Sequence, residues 1–287
     1  MKHSIIFLMC ALLISGCVHY PVNAPLQRAT SQFNRGYRFE TVAAKDQSDD
    51  LLLMLAFSGG GTRAAALSYG VLEQLRATKL GSPVTQHRLL DDVGLISSVS
   101  GGSFTAAYYA LHGDGIFVDF EKGFLKKRIQ TGLLLRTLAP WNQIRLASPR
   151  FSRSDLAAEY YDRLLFNHAT FADLTGPFLS VNATDVSSGA RFEFTQDEFD
   201  LIGSDVSTFP VSRAVAASSA FPILLSPVVL KNYSAGDKEA EPEWIDPILQ
   251  DPSTSSRLKY VASQARSYAD GHRQFAAKGN RHHREIA

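Results

Sequence analysis

Twice in quick succession the chain passes from a short apolar run through a turn of small residues into a stretch of helix formers, and this repeat limits the possible folds. Asp50 to Phe57 is mostly Leu, Met, Ala and Phe and is bounded by turn residues, the pattern of a buried parallel strand. Ser58 to Thr62 is a glycine turn, and Arg63 to Thr78 carries Leu67, Val71, Leu72 and Leu75 at helical spacing. Val93 to Val99 then supplies a second strand, Ser100-Gly101-Gly102 a tight turn, and Ser103 to His112 a helix rich in Ala and Tyr. Two successive strand-to-helix crossovers predict an α/β domain on a mostly parallel central sheet, with its active groups at the carboxyl ends of the strands.

The remainder extends that plan. Phe117 to Leu138 and Ser154 to Phe166 show apolar spacings of three and four and are expected to be helical. Phe178 to Thr184 and Ala190 to Thr195 alternate like strands around a turn at Ser187-Ser188-Gly189. Val211 to Ser219 reads as a helix stopped before Pro222. Lys231 to Ser256, rich in Asp, Glu, Pro and Ser, reads as a long surface loop, and Leu258 to Tyr268 as a helix. No internal repeat is present. The 287 residues fit one sizeable domain, placed at 49–274.

The amino terminus has a different character. After Met1-Lys2-His3, Ser4 to Ser15 is dominated by Ile, Phe, Leu, Met and Ala, too short an apolar run to span a bilayer, which needs roughly 20 residues. Ile14-Ser15-Gly16-Cys17 follows, similar to a bacterial lipobox, so residues 1–16 are expected to be a lipoprotein signal peptide and Cys17 the lipidation site. An ordinary secretory signal cut elsewhere is the alternative. Residues 17–48, with Pro21 and Pro25, read as a tether that partly packs on the domain. The expected location is the cell envelope, lipid-anchored through Cys17, and Val18 after the cysteine points by resemblance to the outer membrane facing the periplasm. The only other cysteine is Cys10, inside the removed segment, which excludes thiol catalysis and cysteine metal sites. A net charge of +1 and the lack of a basic arm give no reason to expect a nucleic-acid partner, and no cofactor or metal is expected.

Ester hydrolysis needs a nucleophile on a sharp turn and amides aimed at the oxygen that becomes negative. Ser98-Val99-Ser100-Gly101-Gly102 meets the first need, since small residues two before and two after Ser100 let a strand bend into a helix. Alone, such a string is as compatible with a helix cap. Gly59-Gly60-Gly61-Thr62-Arg63, between strand and helix, exposes bare amides. A nucleotide-binding loop would use the same device, but the Gly-Lys-Ser/Thr ending is missing and Ala64 stands where a dinucleotide fingerprint needs glycine. A purely structural tight turn is the other reading.

From about Leu53 to Pro227 the chain resembles the bacterial patatin-like phospholipases. Phe57-Ser58-Gly59-Gly60-Gly61-Thr62-Arg63 resembles that family's oxyanion loop and Val99-Ser100-Gly101-Gly102-Ser103 its nucleophile elbow. Asn182-Ala183-Thr184-Asp185 with Gly189 and Phe194 is similar to its later strand pair, and Ala214 to Pro222, with Ala217-Ser218, to the helix that follows. The resemblance implies a three-layer α/β/α fold, a Ser–Asp dyad with Ser100 as nucleophile, an oxyanion hole at Gly59, Gly60 and Gly61, motif-supporting roles for Arg63 and Gly102, and a lipid or phospholipid substrate.

The family's second catalytic residue lies in an Asp-Gly-Gly or Asp-Gly-Ala turn after a late strand. Asp270-Gly271 is the late Asp-Gly here, but His272 follows it, and Asp185 reads more simply as a turn residue. Phe275 to Ala287 is expected to be an atypical polar, basic tail, and the carboxyl-terminal part of the domain incomplete. Without the Asp, the alternative is a catalytically dead lipid-binding lipoprotein. A third reading, an ordinary α/β-hydrolase, needs a functional histidine, yet His112 and His168 read as packed or surface groups. Arg63 either steers an anionic head group or, as favoured here, holds the glycine loop through carboxylates. Phe117, Phe120, Phe124 and Leu125 before Lys126-Lys127-Arg128 fit either a membrane-surface helix or, preferably, a cover over the core.

Overall fold

The computed structural model describes residues 23–26, 35–42, 51–82, 86–186, 189–221, 224–233, 245–252 and 283–286. The expected signal segment, Cys17, Asp270 and the expected helix 258–268 lie outside the described residues, as does most of the loop 231–256. Among the described residues the strands follow in the order β1 Ala24–Pro25, β2 Leu53–Phe57, β3 Lys79–Leu80, β4 His87–Arg88, β5 Val93–Val99, β6 Phe178–Thr184, β7 Arg191–Glu193, β8 Ser204–Asp205, β9 Val228–Lys231 and β10 His283–Ile286. The central sheet has the order β2-β5-β6-β7. β2, β5 and β6 are parallel and β7 closes one edge antiparallel.

Strand position follows composition. Six of the seven side chains of β6 are buried, as the middle of a parallel sheet requires, and these include the polar Ser180 and Asn182 among Phe178, Leu179, Val181 and Ala183. β2 lies at the opposite edge from β7 and leaves Met54 exposed. The two crossover helices, Gly61–Ala77 and Gly101–His112, pack on each other, and the helix Val211–Ser218 packs on β6 and on the helix Arg153–Tyr161. The sheet is thus flanked by helices, in keeping with the layered α/β/α plan expected from the sequence. Rings fill much of the core: Phe192, Phe194, Phe199 and Phe209 form one cluster, and Phe104, Phe120 and Phe124 with Tyr161 another.

Three expectations are revised. Phe117 to Leu138 is not one helix: Ile116–Phe120 runs into a π-turn over Glu121–Leu125, and a second helix starts at Ile129. Phe120 and Phe124 are buried, so the first segment is anchored to the core. Lys126 turns back to Glu121 at 2.9 Å, and Arg128 adopts φ −82°, ψ 71°, outside the helical region. Second, the loop 231–256 is interrupted by a helix, Ile245–Gln250, with Ile245 buried. Third, residues 283–286 of the polar tail form β10, antiparallel to β9, with Ile286 buried and bridged to Asp185. A four-residue strand with one apolar side chain carries no period that a sequence pattern could reveal.

The amino-terminal segment is held at two points. Asn23 donates to the Ser204 hydroxyl and the Lys231 carbonyl, both at 2.9 Å. Arg38 is fully buried against Asp200 at 2.5 Å and also pairs with Asp197.

Candidate active site

The turn at Ser100 has the geometry that its small neighbours allow. Ser100 stands at φ 51°, ψ −117°, one of three non-glycine residues with positive φ among the described residues. A side chain pays for that conformation in crowding between Cβ and backbone, and it persists where the surroundings over-determine it. Here they do. A Cβ on Gly101 would overlap the Gly61 carbonyl and lie 2.7 Å from the Gly61 nitrogen. One on Gly102 would lie 2.7 Å from the Phe57 Cβ and 2.8 Å from the carbonyl oxygens of Phe57 and Ser58. The helix after Ser100 therefore starts in van der Waals contact with the glycine loop, which only two side-chain-free positions permit. Gly102 was expected to support the motif; Gly101, which the sequence reading left among the turn residues, is equally constrained.

The glycine loop faces the same point. A Cβ on Gly59 would sit 3.3 Å from the Ser100 Cβ and 3.9 Å from its Oγ. Gly60 adopts φ 141° and Gly61 φ 64°, both in the region that favours glycine. Gly60 caps the helix Gly61–Ala77 without any side-chain hydrogen bond, so the first amides of that helix have no side-chain acceptor at their cap. The helix Gly101–His112 likewise begins at Ser100 without a side-chain cap. Two helix amino termini, each with partial positive charge, meet at the Ser100 hydroxyl, an arrangement suited to an anionic oxygen.

A small polar brace holds the elbow from below. The Ser100 N–H donates to the Ser218 hydroxyl at 2.8 Å, and Ser218 Oγ donates to the Asn182 carbonyl at 2.6 Å. Ser103 Oγ lies 3.2 Å from the same hydroxyl. Asn182, opposite Val99 in the β5–β6 register, donates from Nδ2 to Ser97 Oγ and the Ser98 carbonyl, both at 3.0 Å. Its Oδ1 accepts no hydrogen bond among the described residues. Asn182 and Ser218 lie in segments that resemble the family, and the sequence alone assigns neither a role. The available signal was polar residues inside runs otherwise buried, Val181-Asn182-Ala183 and Ala217-Ser218.

Other candidates stand elsewhere. His112 ends the elbow helix, about 18 Å along its axis from Ser100, with its ring on Tyr108 and Nε2 3.1 Å from the Leu165 carbonyl. His168 pairs with Asp162 at 2.8 Å and is largely exposed. His112 is thus at the far end of the elbow helix from Ser100, and His168 is engaged by Asp162. Asp185 is fully buried, and its main chain closes the turn to β7 through Ala190 and Gly189. Arg63 is exposed and makes no ion pair among the described residues.

The family model of patatin-like phospholipases matches residues 55–251. No curated protein matches the chain. Among solved structures, human GIVD cytosolic phospholipase A2 in complex with the inhibitor methyl gamma-linolenyl fluorophosphonate and terbium chloride is 20% identical, aligned over 63% of this chain and 32% of that one, with a TM-score of 0.37. A second structure of human GIVD cytosolic phospholipase A2 is 18% identical over 81% and 37% of the two chains, also at 0.37. The chain spans about a third of the length of either.

Proposed function

We propose that this chain, which belongs to the patatin-like phospholipase family, is a lipid acyl hydrolase that uses Ser100 as its nucleophile. The observation that carries the reading is the strained Ser100 pressed against Gly59 and flanked by two uncapped helix starts. In the reaction, Ser100 Oγ attacks the carbonyl carbon of a fatty acyl ester as its proton passes to a carboxylate base. The carbonyl oxygen becomes negative and is held by main-chain amides of Gly59, Gly60 and Gly61, and the alcohol leaves with a proton. Water then repeats the sequence on the acyl-enzyme and frees the fatty acid. The Ser100 N–H is already given to Ser218, so it is not one of the oxyanion donors. By resemblance the base is an aspartate, with Asp270 as the candidate. Arg63, exposed beside the loop, is available to steer an anionic head group.

A fluorophosphonate probe should label the parent protein at Ser100 and leave Ser100→Ala unlabelled. Hydrolysis of a short-chain nitrophenyl ester should vanish in the same variant and fall steeply in Asp270→Asn. Full activity in Ser100→Ala would end the assignment, and binding of lipid without labelling would favour a catalytically dead lipid-binding protein.

We place the protein in the cell envelope, anchored through diacylglycerol on Cys17 and facing the periplasm from the outer membrane. The support is Ile14-Ser15-Gly16-Cys17 after an apolar segment. Radioactive palmitate should label the parent and not Cys17→Ala; equal labelling of both would remove the anchor.

A further inference from the structure

We infer that the helical hairpin Ile129–Leu138 and Pro140–Leu146 docks the protein on an anionic lipid surface, its apolar side chains entering the acyl region and the flanking cations meeting the head groups. The inference deepens the lipid hydrolase reading by assigning the surface through which that site meets its substrate.

The two helices bury little. Of their side chains only Ile129 and Asn142 are buried. Leu134, Leu135, Leu138, Trp141 and Ile144 are 58, 64, 63, 68 and 77% exposed, a concentration of large apolar groups rather than scattered single ones. Leu134 and Leu138 lie one turn apart in the first helix, and Leu135 and Trp141 line one cleft with Tyr160, so apolar groups of the two helices meet across the extended break at Ala139. It differs from the face suggested by the sequence, because Phe120 and Phe124 point into the core.

Charge decides what covers it. From Lys126 to Arg153 the chain has no acidic residue and seven basic ones, although acidic and basic residues are nearly equal overall at 28 and 29. Arg136 lies over the Tyr160 ring at 4.3 Å, and Arg145 lies over Phe151 at 3.7 Å and pairs with Glu159, so these two hold the hairpin to the domain. Lys127, Arg128 and Arg150, just before and just after the hairpin, are exposed and make no ion pair among the described residues. A second copy packed face to face would set these cations against each other, whereas anionic head groups above an acyl layer match both features.

The face also leads to the site. Gln130, in the first turn of the hairpin, is the neighbour that a Cβ on Gly61 would meet, at 3.9 Å from Nε2. Gly132 brings the same helix against the Tyr160 hydroxyl, where any side chain would overlap. The first turn of the hairpin therefore stands beside the glycine loop, on the same side of the molecule from which the exposed leucines continue.

The test uses the full chain carrying Cys17→Ser, to remove any lipid anchor, and Trp244→Phe, which leaves Trp141 as the one tryptophan of the two. Vesicles of phosphatidylglycerol with phosphatidylethanolamine should shift Trp141 emission to the blue and bind the protein, and phosphatidylcholine vesicles should do so weakly. Replacing Leu134, Leu135, Leu138 and Ile144 by Gln should lower partitioning about tenfold or more. Lys127→Gln, Arg128→Gln and Arg150→Gln should each lower binding to the anionic vesicles about fivefold. No emission shift, unchanged partitioning of the four-Gln variant, or a concentration-dependent dimer that gives the same shift without vesicles would overturn the inference. Fluorophosphonate labelling, read without vesicles, separates the two claims: labelled protein that does not bind defeats docking alone, and bound protein that is never labelled defeats the hydrolase reading alone.

Discussion

Ser100 and Ser218 divide the work of the elbow between them. Ser100 takes a backbone conformation that costs about 1–3 kcal/mol, and its N–H is satisfied by a hydroxyl from another helix. Ser218→Ala leaves the Ser100 amide and the Asn182 carbonyl without that hydroxyl, and because both bonds are only partly buried the loss should be about 1 kcal/mol. The expected outcome is a lower melting temperature and a lower kcat with KM little changed, because the loss falls on the placement of Oγ rather than on lipid contacts. Steady-state kinetics on a soluble ester checks this, and an unchanged kcat would show that the elbow holds itself. Ser100 itself was legible from its neighbours, since small residues on both sides of a serine after an apolar strand describe the turn. Ser218 was not, because nothing local says that a serine at the end of a helix reaches across to residue 100.

Among the elements, the segment around Arg38 shows how a piece read as tether becomes part of the fold. Its guanidinium is buried between two carboxylates of the helix Gln196–Asp200, and Gln196 donates a further bond to Asp200 at 2.8 Å. Burial pushes the Asp200 carboxyl up to about 6, against the pull of Arg38 and Gln196, and the nearby Asp197 carboxylate adds to the rise. A folded-state value above the unfolded one means that the folded protein holds this proton more tightly. Stability from this group is therefore complete below its ordinary value of 3.8 and is lost as pH rises towards about 6, with no further change above. Asp200→Asn keeps an acceptor for Arg38 and removes the titration. The melting temperature of the variant relative to the parent should rise between about pH 4 and pH 6 and then stay level; a constant difference across that window would show that Asp200 is ionised throughout. At this scale the strands and crossover helices were readable from their periods. The break between Phe120 and Ile129 was not, because the spacing of apolar residues continues through it while the burial of Phe124 and the turn at Arg128 interrupt the backbone.

For the molecule as a whole, the late strand β10 joins distant parts of the chain, pairing with β9 and bridging to Asp185 at the end of β6. Ile286 is its buried side chain, so Ile286→Asp should cost about 2–4 kcal/mol through a charge placed in the interior. Chemical denaturation measures this, and no loss of stability would mean that residues 283–286 do not contribute to the fold. By itself the sequence determined the two strand–turn–helix units, the parallel sheet they imply, and the serine and glycines at their turns, because periodicity and the steric freedom of glycine are local properties. The tertiary structure alone decided that Gly59 lies against Ser100, that Ser218 holds the elbow, that Arg63 is unpaired among the described residues, and that the hairpin after Arg128 turns its leucines outward. Each of these depends on contacts between residues far apart in sequence, where no local pattern reports which face meets the core and which meets its surroundings.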